Sequence, residues 1–250
     1  MGLLNTGDPN PVFVQGAGSD APFLFVCDHA GRATPRRLER LSLPESAFDL
    51  HIAWDIGAGA LTQRLAGQMG ACAIAQRYSR LVIDCNRYPD KPDAAPAVSD
   101  GVRVPGNEGL TEADRAERVA AIHTPYHAAI DAELDARAAR ELSTIIVFMH
   151  SFTPRMNGFE RPWHFGVIHE ETSRFSKVVL AKLQALDDFV TGDNLPYAMD
   201  GSDYSAPEHA LARGIDYLEL EVRQDLIADE AGQARIADVL RPVLQGALGG

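Results

Sequence analysis

The sequence predicts an α/β fold, a three-layer α/β/α sandwich around a mixed, largely parallel sheet. Two patterns point to it. Short apolar, β-branched runs bounded by turn residues alternate with stretches whose apolar residues recur every three or four positions. Polar clusters then follow the ends of several of those runs, as in open α/β sheets, where functional side chains gather beyond the strands.

The expected strands are 22–27 (PFLFVC), 71–75 (ACAIA), 80–84 (RLVID), 144–149 (TIIVFM), 164–168 (HFGVI) and 216–222 (DYLELEV). In 111–140, Val119, Ile122, Tyr126, Ile130 and Leu134 step along one helix face, Thr111 with Asp114 resembles a capping box, and Pro125 should start, kink or divide the stretch. Phe175, Val179, Leu183 and Leu186 mark a further helix, and Ile236, Val239, Leu240, Val243 and Leu244 a C-terminal one. Residues 86–110 and 191–209 lack periodicity and read as long loops, which in compact domains tend to carry function. Without a repeat or an evident linker, residues 1–250 read as one domain.

With 46% hydrophobic residues in 250, the chain can build a substantial core. No segment reads as a membrane span or signal peptide, so a cytoplasmic location is expected. The net charge of −12 argues against nucleic-acid and anionic-membrane partners, and an anionic ligand would need local cations. Cys27, Cys72 and Cys85 sit in apolar stretches and read as reduced, packed thiols.

Four strand ends carry polar groups: Asp28-His29, Asp84 with Asn86-Arg87, His150-Ser151, and Glu219, Glu221 and Arg223. Histidine nitrogens and carboxylate oxygens suit zinc, although a lone histidine after a strand is more often a hydrogen-bonded structural residue. On an otherwise core-like strand Glu219 and Glu221 share a face. Buried carboxylates there require a cation, a metal or a proton, and Arg223 on the same face could be that cation. His123 and His127 lie four apart, but Pro125 disrupts a metal-binding helix; His164 and His169 read as structural.

The chain resembles the N-formylglutamate amidohydrolase family through FVCDHAG (25–31), HIAWDIGA (51–58), RYSRLVIDCNR (77–87), VPGNEGL (104–110), PYH (125–127), HSFTP (150–154), RPWHFGV (161–167), DNLPY (193–197) and LEVRQDLI (220–227). That family is similar to the zinc carboxypeptidase fold, in which a His-Ser-aromatic strand end ligates zinc, an Asn-Arg pair grips a carboxylate and a Glu-x-Arg strand supplies the catalytic glutamate. The resemblance implies hydrolysis of N-formyl-L-glutamate to formate and glutamate, late in histidine degradation. A Zn2+ ion would be held by His29, Asp55 and His150. Arg32 stands where carboxypeptidases have their second ligand, so Asp55 is the first choice for it, with Asp28 and His51 as alternatives. Asp28 should point away from a site that His29 faces if both stay on the strand.

Glu221 would act as general base and acid, with Arg223 stabilising the oxyanion or holding Glu221. Asn86, Arg87, Arg80, Ser151, Arg155, Asn194 and Tyr197 would bind a small anionic N-acyl amino acid, with Arg161, Tyr204 and His209 as further candidates; Arg80 could instead pair with Asp84. The competing readings are a zinc amidohydrolase or exopeptidase for another N-acyl amino acid, and a small-ligand-binding protein without chemistry.

Overall fold

A computed structural model of the chain describes residues 2–170 and 172–249. The apolar runs form one seven-stranded sheet from β1 (Val12–Gln15), β2 (Phe23–Cys27), β3 (Cys72–Gln76), β6 (Ile145–Phe152), β9 (Phe165–Ile168), β10 (Thr191–Asp193) and β11 (Asp216–Arg223). Its order is β1-β3-β2-β6-β11-β9-β10. The central strands β3, β2, β6 and β11 are all parallel, whereas β1 and β9 run antiparallel to their inner neighbours. Two small ribbons, β4–β5 (Val98–Ser99, Val102–Arg103) and β7–β8 (Arg155–Met156, Phe159–Glu160), stand apart.

The sheet is mixed and largely parallel as expected, and its central strands are buried on both faces. Helices α1 (Ala58–Met69), α4 (Arg174–Gln184) and α6 (Glu230–Ala247) cover one face, where Phe25, Val147 and Leu220 meet Leu61, Val179 and Leu240. On the other face Val26, Phe148 and Tyr217 pack with Ile122, Tyr126 and Ile130. That face carries α2 (Glu112–Arg118), α3 (Thr124–Ala139), the short α5 (Ser205–His209) and most of the irregular chain. Cys27, Cys72 and Cys85 are free and buried, and no helix among the described residues is long and apolar enough to cross a membrane.

Residues 80–84 do not form the expected strand. Val82 N–H donates to Ser79 O and Asp84 N–H to Ala94 O, so the backbone turns while Leu81, Val82 and Ile83 wedge into the second core. Their burial, not their pairing, made them apolar. β1 and β10 fall outside the expected strands; each is a short sheet-edge strand of no more than four residues.

Pro125 stands in the first turn of α3 and, having no N–H, donates no hydrogen bond back into the helical turn that precedes it. Immediately before it, Val119–His123 form a π-helical turn that joins α2 to α3. The Thr111–Asp114 capping box is present, and Arg118 at the end of α2 donates to Val82 O, Gly106 O and Asn107 Oδ1, bracing the loops around it.

His127 on α3 is bracketed by Cys85 O at 2.9 Å and His209 Nε2 at 2.8 Å. Burial holds it neutral, with its pKa pulled down to about 3, and lowers His123 as well. Unfolded imidazoles take protons near 6.5, so this contribution to stability is present above that pH and is lost as pH falls below it, at about 1.4 kcal/mol per pH unit for each group. The melting temperature followed by circular dichroism should therefore fall from about pH 6.5 to about pH 5. His127→Gln should flatten that fall; an unchanged slope would count against it.

Candidate active site

Parallel pairing of β6 and β11 sets Glu221 opposite His150 in register. Side chains alternate along each strand, so His150, Glu219 and Glu221 emerge on the face that carries Phe148 and Tyr217. β2 stops at Cys27, and the chain turns there. Asp28 and His29 both reach the site as a result, which corrects the expectation that Asp28 points away.

Asp55 arrives from the turn before α1, its N–H donating to His29 O at 2.9 Å. One carboxylate oxygen, Asp55 Oδ2, lies 2.9 Å from His150 Nδ1 and 3.4 Å from His29 Nδ1, and it accepts from Ser151 N–H at 3.2 Å. Each imidazole is backed on its other nitrogen: His29 Nε2 sits 2.6 Å from Asp84 Oδ1, and His150 Nε2 sits 3.4 Å from Asp28 Oδ2. Arg80 then braces Asp84 at 2.7 Å and Asp55 at 3.4 Å.

All of these carboxylates are buried. Burial opposes their charge, yet His29 and His150 hold Asp55 below the usual carboxylate range, His150 does the same for Asp28, and Arg80 with His29 for Asp84. Glu221 and Glu219 behave oppositely. Burial pushes Glu221 up to about 7 and Glu219 to about 8, and an Oε2 atom of each is buried without a hydrogen-bond partner. A carboxyl that titrates near neutrality can both take and return a proton.

These groups line a cavity of about 500 Å³ beyond the C-terminal ends of β2, β6 and β11. His29, Asp55, His150, Glu221, Arg80, Asn86, Arg87, Ser151 and Tyr197 all border it. Ser151 Oγ donates to Ile56 O, and Asn86 and Arg87 both bond to Asp203. Arg80 pairs with Asp84, the partner weighed from sequence, although a turn and not a strand brings them together. Tyr197 Oη accepts from Arg161, which is buried against Phe152.

Other candidates stand elsewhere. The Arg223 guanidinium donates to Asp225 at 2.8 Å and to the Trp163 carbonyl, not to Glu221. Arg155 pairs with Glu160 across the exposed β7–β8 ribbon. Asn194 Oδ1 accepts from His169 N–H, tying the start of its loop to β9. His51 borders the cavity but pairs with Asp100, and His209 joins His127 behind it. Sequence reasoning did not assign a role at the site to Asp84 or Asp203; a carboxylate two residues before Asn86 was the available signal for the first.

The residues fit a divalent ion. His29, Asp55 and His150 offer ligand atoms within 4.8 Å of one another, and His29 Nδ1 is buried with no hydrogen-bond partner. Two nitrogens and one oxygen are a common zinc donor set, and carboxylates behind both imidazoles are the usual outer support.

The fold and cavity define a hydrolase-type α/β protein, with a neutral-range glutamate beside a histidine-carboxylate cluster at the ends of parallel strands. Family comparison makes this particular: the chain belongs to the N-formylglutamate amidohydrolase family, whose sequence model matches residues 21–228. It is similar to the gene product Atu2144 from Agrobacterium tumefaciens, at 34% identity over 99% of this chain and 98% of that one, with a TM-score of 0.95. It shares its fold with N-formylglutamate amidohydrolase from Ralstonia eutropha JMP134, at 18% identity over 96% and 97% of the two chains and a TM-score of 0.64. No functionally curated protein matches it.

Gly57, between Asp55 and α1, has φ of +82°, and a Cβ there would stand 2.1 Å from Ile227 O. Gly57→Ala is expected to destabilise the protein by about 2–4 kcal/mol in urea unfolding, from left-handed strain plus backbone overlap. A loss under about 1 kcal/mol would mean that this turn yields freely.

Proposed function

We infer that the chain hydrolyses the linear amide of a small N-acyl amino acid, with zinc held by His29, Asp55 and His150 and Glu221 as general base and then acid. The observation that carries this reading is Glu221: buried, unpartnered at Oε2, titrating near neutrality, and paired in register with His150. When bound, the ion would supply Lewis acidity toward the acyl oxygen and bring the pKa of water toward about 7.

The chain's own groups supply the rest. Glu221 takes the proton of the attacking water and returns it to the departing nitrogen, so the amine leaves neutral. Asp84 and Asp28 hold the imidazoles in one tautomer and orientation. Arg80 borders the cavity, and its positive charge lowers the pKa of Glu221. It is therefore the guanidinium we assign to opposing charge on the acyl oxygen, in place of Arg223. Tyr197 accepts from Arg161, which leaves its own hydroxyl hydrogen to donate into the cavity.

N-formyl-L-glutamate, yielding formate and glutamate, is the substrate that the family name suggests, and its setting would be cytoplasmic histidine degradation. A second reading, another N-acyl amino acid, is favoured by one observation: both guanidiniums bordering the cavity already have carboxylate partners.

Glu221→Gln should lower kcat for formate release by about 100-fold to 10,000-fold while leaving metal content unchanged. Wild-type turnover in that variant would refute the assignment. Chelation should abolish activity and added zinc restore it. Asp84→Asn should weaken zinc binding by about 10-fold to 100-fold in competition with a chromophoric chelator; unaltered affinity would remove Asp84 from the support of His29.

A further inference from the structure

The end of the cavity that would receive a substrate carboxylate already holds one. Asp203 Oδ1 accepts from Asn86 Nδ2 at 3.2 Å and from Arg87 Nη1 at 2.9 Å. A guanidinium and a neighbouring amide donating to one carboxylate is how a bound acid would be gripped. Arg87 also faces Asp93 at 3.4 Å.

Asp203 is built in. Asn86 Oδ1 accepts from Tyr204 N–H at 3.1 Å and Ser205 N–H at 2.9 Å, and Ser205 Oγ donates to Asp28 Oδ1 at 2.7 Å. The Tyr204 ring packs against His123 and His127. The residues after Asp203 are thus fastened by backbone, hydroxyl and ring, and the Asp203 side chain is 13% exposed.

Glu219 borders the same cavity. It is 5% exposed, its Oε2 has no hydrogen-bond partner, and no cation among the described residues pairs with it. Burial raises its pKa, and the negative charge of Asp203 acts in the same direction. A buried carboxylate that lines the same cavity as Asp203 thus lacks the positive partner that burial ordinarily demands.

We propose that Asp203 and Glu219 form an acidic subsite, so that this chain takes N-acyl substrates presenting an ammonium or similar cation there and rejects those presenting a carboxylate. The inference rests on the amide hydrolysis inferred above and names its substrate class. A cation would give Glu219 its missing partner and face Asp203. A carboxylate would have to displace Asp203 from Arg87 and then stand among like charges.

The test compares zinc-loaded wild type, Asp203→Asn and Glu219→Gln. Formate release is measured from N-formyl-L-lysine amide, N-formylglycinamide and N-formyl-L-glutamate, and calorimetry follows the binding of cadaverine and glutarate. Wild type should favour the lysine amide over the glutamate by about tenfold or more in kcat/KM, with the glycinamide between. Each variant should lose about tenfold of that preference, weaken cadaverine binding, and, for Asp203→Asn, tighten glutarate binding. Wild type that turns over the glutamate best, or binds glutarate more tightly than cadaverine, would overturn the subsite while leaving the hydrolysis standing. No formate from any of the three would refute deformylation, and calorimetry would then decide the subsite alone.

Discussion

Asp55 Oδ2 meets two imidazole nitrogens and a backbone N–H, and the elements supplying them come from separate parts of the chain: the end of β2, the end of β6, and the turn before α1. A buried carboxylate is tolerated only where such donors converge, so the sheet must hold β2 and β6 as neighbours and keep the turn pressed against both. Glu221 then follows from the β6–β11 register without further adjustment. A one-residue slip of that pairing would send both glutamates to the opposite face, into the aliphatic core under α4 and α6.

The site divides its carboxylates into two populations. Those facing imidazole or guanidinium, Asp28, Asp55 and Asp84, stay charged despite burial. Glu219 and Glu221, which have no such contact, are pushed toward the neutral form. The same residue chemistry thus stays ionised in one place and is pushed toward the neutral form in another, and the difference lies in what each oxygen faces. The overall charge of −12 carries into the cavity, where carboxylates outnumber guanidiniums.

Much of this was legible in the sequence because alternation and strand ends are local properties. The central strands could be read from β-branched runs, and the shared face of Glu219 and Glu221 from their spacing alone. Residues 80–84 show the limit: Leu81, Val82 and Ile83 are as apolar as a strand because they fill a core, and composition records burial without recording pairing. Asp28 shows another, since its direction depended on β2 ending at Cys27, a boundary set by tertiary contacts. Arg223 continues the alternation of β11 in sequence, yet Asp225 two residues later draws its guanidinium away. Asp203 could not be anticipated, because its meeting with Arg87 spans more than a hundred residues of chain.

The π-helical turn at Val119–His123 has a consequence for how this chain can vary. A π turn accommodates one residue more than the α-helix it interrupts, and each residue advances an α-helix by about 100°. Upstream, Arg118 must face the loops at Val82 and Gly106; downstream, His127 must face Cys85 and His209. The extra residue lets one helical segment satisfy two partners whose directions a regular helix could not serve together. Residue number in this stretch is therefore what descent must preserve, alongside the buried Ile122 and His123: a single deletion at 119–123 would be felt on both flanks.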